Sequence, residues 1–213
     1  MKRSFTLVEL MVVTVIIGII VGAVVPAFTR LMNGSAVSHG LRITTSQLNM
    51  ARTEACVRRK YVAVVFLDKD CAAAGAYLSA DAKAPVGYRC AFRSCFVTKN
   101  ESNEYEFEKW IPGTKWEFLP KGSYFSTLDN LIDVTKVKDN ADSGKGVFKD
   151  DGEYTVHAVV FSPSGRSAEK KLFKVEVREG VVTDNKTVTR NNNADNKLTA
   201  RVNCYTGSIR TTE

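Results

Sequence analysis

The chain has 213 residues and a mass of 23.5 kDa, which allows one domain or one domain with an appendage. Its 14 glycines and 5 prolines are too few for a collagen-like or low-complexity chain. The 30 Lys and Arg exceed the 23 Asp and Glu by 7, a moderate basic excess that permits contact with nucleic acid or anionic lipid without requiring it. Dense hydrophobicity is confined to the first 28 residues, which excludes a multi-span membrane protein.

The N-terminal segment is a short basic tip, residues 1–4, followed by an apolar run over residues 5–28 that contains one charge, at Glu9. At 1.5 Å per residue such a helix extends about 36 Å, enough to cross a hydrocarbon core of about 30 Å. A cleaved secretory signal has a shorter apolar core that ends at a small-residue cleavage site. The sequence therefore predicts a retained, single-pass transmembrane helix.

Glu9 is the anomaly of this segment. A carboxylate costs about 2.5–3.5 kcal/mol at the bilayer centre, and less toward the interface, unless it is paired or protonated. No basic residue follows on the same helix until Arg30, more than five turns away. Either Glu9 lies at the level of the lipid headgroups, or another chain supplies its cationic partner.

The residues SFTLVELM, 4–11, resemble the class III signal of type IV pilins and type II secretion pseudopilins. The resemblance implies that a prepilin peptidase cuts between Ser4 and Phe5 and that the new amine of Phe5 is methylated. It makes Glu9 the fifth mature residue, where the family carries a Glu that pairs with the N-terminal amine of a neighbouring subunit in the filament. A desolvated carboxylate is tolerable when its counter-charge is desolvated with it. Pro26 falls where the family commonly has a helix-bending proline, whereas Ser4 departs from the usual Gly before the cut.

After Asn33-Gly34-Ser35 the sequence has the pattern of an amphipathic helix. Small or apolar residues recur at intervals of three and four, typical of one helical face, namely Val37, Leu41, Thr44, Leu48, Ala51 and Ala55. The residues expected off this stripe are His39, Arg42, Gln47, Arg52, Glu54 and Arg58. The pattern predicts a helix over 29–60 that packs closely against a sheet, and its basic end, Arg58-Arg59-Lys60, suits the negative pole of the helix dipole.

Beyond residue 60 the periodicity becomes that of strands. Strands are predicted at 61–67, 87–97, 104–110, 116–119, 154–162, 171–178 and 198–205, with polar loops at 136–152 and 183–197. The fold class is therefore α+β, a long N-terminal helix with a transmembrane half and an amphipathic half, packed on a β-rich, mostly antiparallel, pilin-like head. The expected organisation is a leader at 1–4, a transmembrane or filament-core helix at 5–28, an amphipathic helix at 29–60 and the head at 61–213.

Three further segments resemble the GspH/FimT branch of the pseudopilins. Residues 48–55 contain an AR-x-EA helix, residues 160–165 resemble an F-x-P-x-G turn, and residues 206–210 lie where the branch ends with a Gly-Arg strand. FimT-type proteins of this branch bind DNA through a C-terminal G-R-x-R, in which Ser208 replaces the first Arg here. The remaining cations expected to contact DNA phosphates are Arg166, Arg201 and Arg210.

No catalytic or metal-binding pattern occurs in the sequence. His39 and His157 are expected to be solvated or packed, Cys90-x4-Cys95 lacks a second ligand pair, and no P-loop or nucleophile elbow is present. The sequence thus predicts a protein that is not an enzyme and needs no cofactor or metal.

The five cysteines fit an extracytoplasmic domain with one thiol left over. A bridge among Cys71, Cys90 and Cys95 fits their spacing, and a Cys90–Cys95 bridge needs a turn at Arg93-Ser94. Cys56 is expected to be a small buried hydrophobe, and the connectivity stays open.

The resemblance favours a structural subunit, a minor pseudopilin of a type II secretion system or a minor pilin of a related type IV pilus. The implied partners are prepilin peptidase, other (pseudo)pilins, an inner-membrane platform with its ATPase, and membrane lipid. The expected location is the bacterial inner membrane, with a cytoplasmic N-terminus and a periplasmic head, and then the filament. One alternative is a FimT-like DNA-binding minor pilin for natural transformation. Another is a membrane-anchored β-domain unrelated to filaments, which leaves Glu9 unexplained.

Overall fold

The computed structural model describes residues 7–67, 89–138, 153–182, 188–189 and 196–212. The predicted cleavage site at Ser4 and Phe5, the thiol of Cys71 and most of the two predicted polar loops lie outside these residues.

One α-helix, α1, runs from Leu7 to Arg58 without interruption. Its 52 residues extend about 78 Å at 1.5 Å per residue. Within the described residues, no helix contains a stretch long and apolar enough to cross a membrane. The helix ends where Arg59 adopts a positive φ of 53°, a left-handed conformation that commonly terminates helices.

The C-terminal half of α1 packs on the head along the predicted stripe. Every member of the stripe is buried, with Val37, Leu48, Ala51 and Ala55 completely inaccessible. The polar member, Thr44, is satisfied locally because its hydroxyl donates to the carbonyl of Gly40 at 2.9 Å. The prediction for Gln47 was wrong, since its Nε2 donates to Ser94 Oγ at 2.9 Å and this hydrogen bond permits its burial against the sheet.

The described part of the head consists of short strands. They are β1 (Tyr61–Phe66), β2 (Ala91–Lys99), β3 (Tyr105–Trp110), β4 (Glu117–Phe118), β5 (Ser123–Asp129), β6 (Ile132–Val137), β7 (Tyr154–Phe161), β8 (Phe173–Glu179), β9 (Val181–Val182), β10 (Val188–Thr189), β11 (Lys197–Val202) and β12 (Ile209–Thr212). Predicted strands overlap β1–β4, β7, β8 and β11. The sequence did not predict β5 and β6, in each of which an irregularity in strand register interrupts the alternation.

Five strands pair in a closed ring, in the order β1-β7-β6-β3-β2, and β2 returns to β1. Every pair in the ring is antiparallel except β3–β6, which is parallel and joins Tyr105 and Glu106 to Val134 and Thr135. A second, antiparallel sheet has the order β12-β11-β8-β5. The expected α+β class and mostly antiparallel head are confirmed.

Three phenylalanines join the two sheets in the core. The ring of Phe125 on β5 lies 5.2 Å from that of Phe66 on β1 and 5.8 Å from that of Phe92 on β2, both nearly edge-on. Such edge-to-face contacts contribute about 0.5–1.5 kcal/mol each beyond their buried area. The core is therefore continuous from the ring of strands to the sheet that carries the C-terminal arginines.

Candidate functional site: the N-terminal segment and the C-terminal arginines

The first described turn of α1 contains Glu9, where the positive end of the helix dipole favours a carboxylate. Its neighbours Leu7, Val8 and Leu10 are 61–77% exposed. From Met11 to Val24 the described side chains other than Thr14 are apolar and exposed on all sides of the helix. A helix that is apolar all round belongs inside a protein assembly or a membrane, because its surface is unfavourable in water.

The predictions for Ser4, Phe5 and Pro26 in this segment remain untested by the described residues. Ser4 and Phe5 precede the first described residue, so the cleavage and methylation site stays a prediction. The helix continues through Pro26, which removes one backbone donor from the hydrogen-bond ladder. The bend expected there stays a prediction as well.

The three segments that resemble the GspH/FimT branch meet at one point of the head. Arg52 of α1 donates its Nε–H to the carbonyl of Gly165 at 3.1 Å. Gly165 and Gly207 have φ values of +73° and +65°, which favour glycine. A Cβ on Gly207 would overlap the carbonyl oxygen of Gly165, and a Cβ on Gly165 would lie 2.6 Å from the Sγ of Cys56. We call this cluster of Arg52, Gly165 and Gly207 the glycine contact, and its role is to hold two turns against α1.

Two of the three predicted DNA-contacting arginines are brought together. Arg201 on β11 lies directly opposite Arg210 on β12, and both are exposed. Directly opposite residues of antiparallel strands share a face, so like charges in these positions repel each other. Within the described part of the chain, neither arginine has an ion-pair partner. The pair is therefore a concentration of positive charge at the edge of the sheet, with no counter-charge among the described residues.

Two other cations on this face, Lys174 and Arg178, are compensated. Glu176 on β8 accepts hydrogen bonds from Ser126 Oγ and Arg178 Nε, each at 2.6 Å, and Lys174 Nζ lies 3.5 Å from its Oε2. Burial alone would raise the pKa of Glu176, but these hydrogen bonds and the charges of Arg178 and Lys174 hold its pKa below the usual range. Glu176 is thus the ionised counter-charge of Lys174 and Arg178, whereas Arg201 and Arg210 have none among the described residues.

Arg166, the third predicted contact, lies on the turn after β7 and is exposed. Its carbonyl accepts hydrogen bonds from the backbone N–H and the hydroxyl of Ser162. Arg166 follows Gly165 directly, so the glycine contact brings its turn against the turn that precedes β12. The sequence resemblance had identified these segments, but the pairing of Arg201 with Arg210 depends on strand register.

The cysteines and histidines differ in part from expectation. Strand β2 runs through Arg93 and Ser94 without a turn, so the geometry needed for a Cys90–Cys95 bridge is absent. Cys95 is buried, which raises the pKa of its thiol. The prediction for Cys56 was wrong, because it is exposed and lies beside the buried stripe of α1 rather than on it.

The two histidines lie at or near the surface. The Nε2 of His157 lies 3.2 Å from Asp133 Oδ1, and His39 is exposed. The described residues contain no group of three or more His, Cys, Asp or Glu side chains arranged to hold a metal ion.

These features define an α+β protein in which a long N-terminal helix precedes a β-rich head. Residues 1–25 match the family model described as the prokaryotic N-terminal methylation motif. The type IV minor pilin FimU of Pseudomonas aeruginosa (strain PAO1) is a solved structure to which this chain is similar, at 12% sequence identity and a TM-score of 0.43. That alignment covers 87% of this chain and 91% of the FimU chain. No curated protein matches the chain in sequence.

Proposed function

We propose that this chain is a minor structural subunit of a pilin-type filament, either the pseudopilus of a type II secretion system or a related type IV pilus. The observation that carries the proposal is the methylation motif at residues 1–25, which continues into a helix with apolar side chains exposed on every side. Such a helix needs a surrounding of lipid before assembly and of other apolar helices after it. The role is assembly rather than catalysis.

In this proposal the subunit waits in the inner membrane with its head on the periplasmic side. Prepilin peptidase removes residues 1–4 on the cytoplasmic side and methylates Phe5. An inner-membrane platform driven by its ATPase then moves the subunit into the filament, where Glu9 pairs with the N-terminal amine of a neighbour. A carboxylate in an apolar surrounding is tolerable when its counter-charge is desolvated with it.

Processing gives the most direct test of this function. We expect the mature chain to begin at Phe5 and to carry one N-methyl group, because the motif places the cut before that residue. Loss of Lys2 and Arg3 lowers the 30 basic side chains to 28 and the net side-chain charge from +7 to +5. Intact-mass and N-terminal peptide analysis of the protein from membranes measures both changes. Ser4→Gly, which restores the usual residue before the cut, should be processed at least as completely.

A mature chain that starts at Met1 would contradict the proposed processing, as would one cut near residue 26 in the manner of a secretory signal. A chain cut before Phe5 but without the methyl group would separate the peptidase step from the methylation step.

A second candidate function is DNA binding as a FimT-like minor pilin. The observation that favours it is the pairing of Arg201 with Arg210 on one exposed face, with Arg166 on a neighbouring turn. Three arginines can neutralise only a few phosphates, whereas strong non-specific DNA binding uses many such contacts. The departure at Ser208 from the G-R-x-R pattern removes one more cation from the same strand end.

We therefore expect weak, salt-sensitive DNA binding by the full chain in a non-ionic detergent. The dissociation constant should be about 10⁻⁴–10⁻⁶ M at physiological salt and should rise steeply with ionic strength. Fluorescence titration of a labelled duplex at two salt concentrations measures this. Submicromolar binding that Arg210→Ala abolishes and Lys121→Ala leaves intact would make DNA uptake the leading function.

A further inference from the structure

Strand β12 is the last strand of the second sheet and has a neighbour, β11, on one side only. No other described strand pairs with the opposite side of β12. We call this unpaired side the β12 edge. Arg210, Thr211 and Thr212 are all exposed. Roughly half of the backbone N–H and C=O groups of an edge strand point away from its neighbour and remain open to a further strand. The β12 edge is thus a template for strand addition.

A cleft of about 350 Å³ lies between this edge and helix α1. Alternate side chains of an added strand would point into this cleft, because successive residues of a strand face opposite sides of the sheet. The cleft presents hydroxyl groups and two leucines, which suit small or short polar side chains. Its lining residues are Ser38, Leu41, Arg42, Thr45, Leu198, Thr211 and Thr212.

Positive charge borders the β12 edge on both faces of the sheet. Arg210 and Arg201 lie on the outer face, and Arg42 lines the cleft on the side of α1. All three are exposed, and none has an ion-pair partner within the described residues. Two arginines directly opposite each other destabilise a sheet unless an anion lies between or beside them. The charge pattern therefore favours a partner strand that carries carboxylates.

We propose that the β12 edge binds an extended, acidic segment of a partner protein by strand addition. The backbone of the segment pairs with β12, its outward carboxylates pair with Arg210 and Arg201, and its inward side chains enter the cleft beside Arg42. Backbone pairing supplies affinity, and the charges and the cleft supply specificity. A nucleic acid would use the arginines but neither the free backbone groups nor the cleft. The proposal does not depend on assembly into a filament.

The experiment uses the full chain in non-ionic detergent and a blocked peptide of four Thr-Glu repeats as the probe. We expect saturable binding and slower backbone hydrogen exchange over residues 209–212, because a paired amide exchanges only when the added strand opens. A peptide of four Thr-Lys repeats should not bind. Arg210→Glu should lower the affinity for the acidic peptide by about tenfold or more, since it replaces an attraction by a repulsion.

Lys121→Glu is the matched control, because it makes the same charge change on an exposed residue that precedes β5, at the opposite edge of the same sheet. It should leave the affinity nearly unchanged. A peptide of four Pro-Glu repeats has the same charge but lacks half of the backbone donors, and it should bind far more weakly.

Three results would overturn the proposal. The first is equal binding of the Thr-Glu and Pro-Glu peptides, which would mean that charge alone accounts for the binding. Absence of any slowed exchange over residues 209–212 at saturating peptide would also contradict it. Stronger protection of these amides by a DNA oligonucleotide than by the Thr-Glu peptide would assign the surface to nucleic acid instead.

Discussion

Gly207→Ala should be among the most destabilising single substitutions in the head. The residue has φ +65°, which costs an alanine about 1–2 kcal/mol, and the new Cβ would overlap the backbone oxygen of Gly165. Backbone cannot move aside as the end of a flexible side chain can, and overpacking adds about 1–3 kcal/mol more. The expected loss of unfolding free energy is therefore about 2–5 kcal/mol. Urea denaturation of the full chain in detergent, followed by near-ultraviolet circular dichroism, measures it.

Gly113→Ala is the matched control for this effect. Gly113 has a similar φ of +80°, but among the described residues beyond its two chain neighbours no atom lies within 4 Å of the position of its Cβ. Its substitution should cost only the conformational part, about 1–2 kcal/mol. The difference between the two variants isolates the clash with Gly165. Equal losses for both would mean that the glycine contact adds nothing to stability beyond backbone conformation.

Glu9→Gln should leave the chain inserted in the membrane with its head folded, while incorporation into filaments falls by about a hundredfold or more. Removal of the charge makes the helix more apolar, which favours insertion. In the filament, however, the change leaves the amine of a neighbouring Phe5 desolvated without its counter-charge. Breaking a buried pair by removing one partner costs about 3–5 kcal/mol. Sedimentation of sheared filaments, with the membrane pool quantified in parallel, measures how the subunit divides between membrane and filament.

Thr14→Val is the matched control in the same segment. The hydroxyl of Thr14 donates to the carbonyl of Met11 at 2.9 Å within its own helix, so it needs no partner from a neighbouring subunit. This variant should enter filaments as wild type does. If Glu9→Gln also assembles as wild type does, the pairing with Phe5 is wrong, even where mass analysis establishes cleavage before that residue.

The stripe of α1 could be read from the sequence because helical periodicity alone determines which face is buried. The strand β1 was equally clear, since a short β-branched and aromatic run allows few other structures. The ring of strands was not predictable, because closure depends on the β3–β6 pair, which involves only two residues on each strand. Gln47 and Ser94 illustrate the same limit. Each is an ordinary polar residue in the sequence, and only the docking of helix on sheet makes them hydrogen-bond partners.

The candidate site was predictable to a similar extent. The N-terminal motif is contiguous, so it can be recognised without a fold. Arg201 and Arg210 appeared in the sequence as two separate cations, and their opposition follows from the turn at 203–208, which fixes the register of β11 and β12. The glycines at 165 and 207 belong to segments far apart in the sequence, which alone gives no reason for them to touch.

The uninterrupted course of α1 has a mechanical consequence. A pulling force on its N-terminal half is carried along one continuous helix, which ends at Arg58 and is joined to β1 by only Arg59 and Lys60. Strand β1 is held on both sides, by β2 through six residue pairs and by β7 through five. A tensile load along this strand shears both ladders simultaneously instead of unzipping one bond at a time. The helix is consequently joined to a strand that two ladders of backbone hydrogen bonds hold in the head.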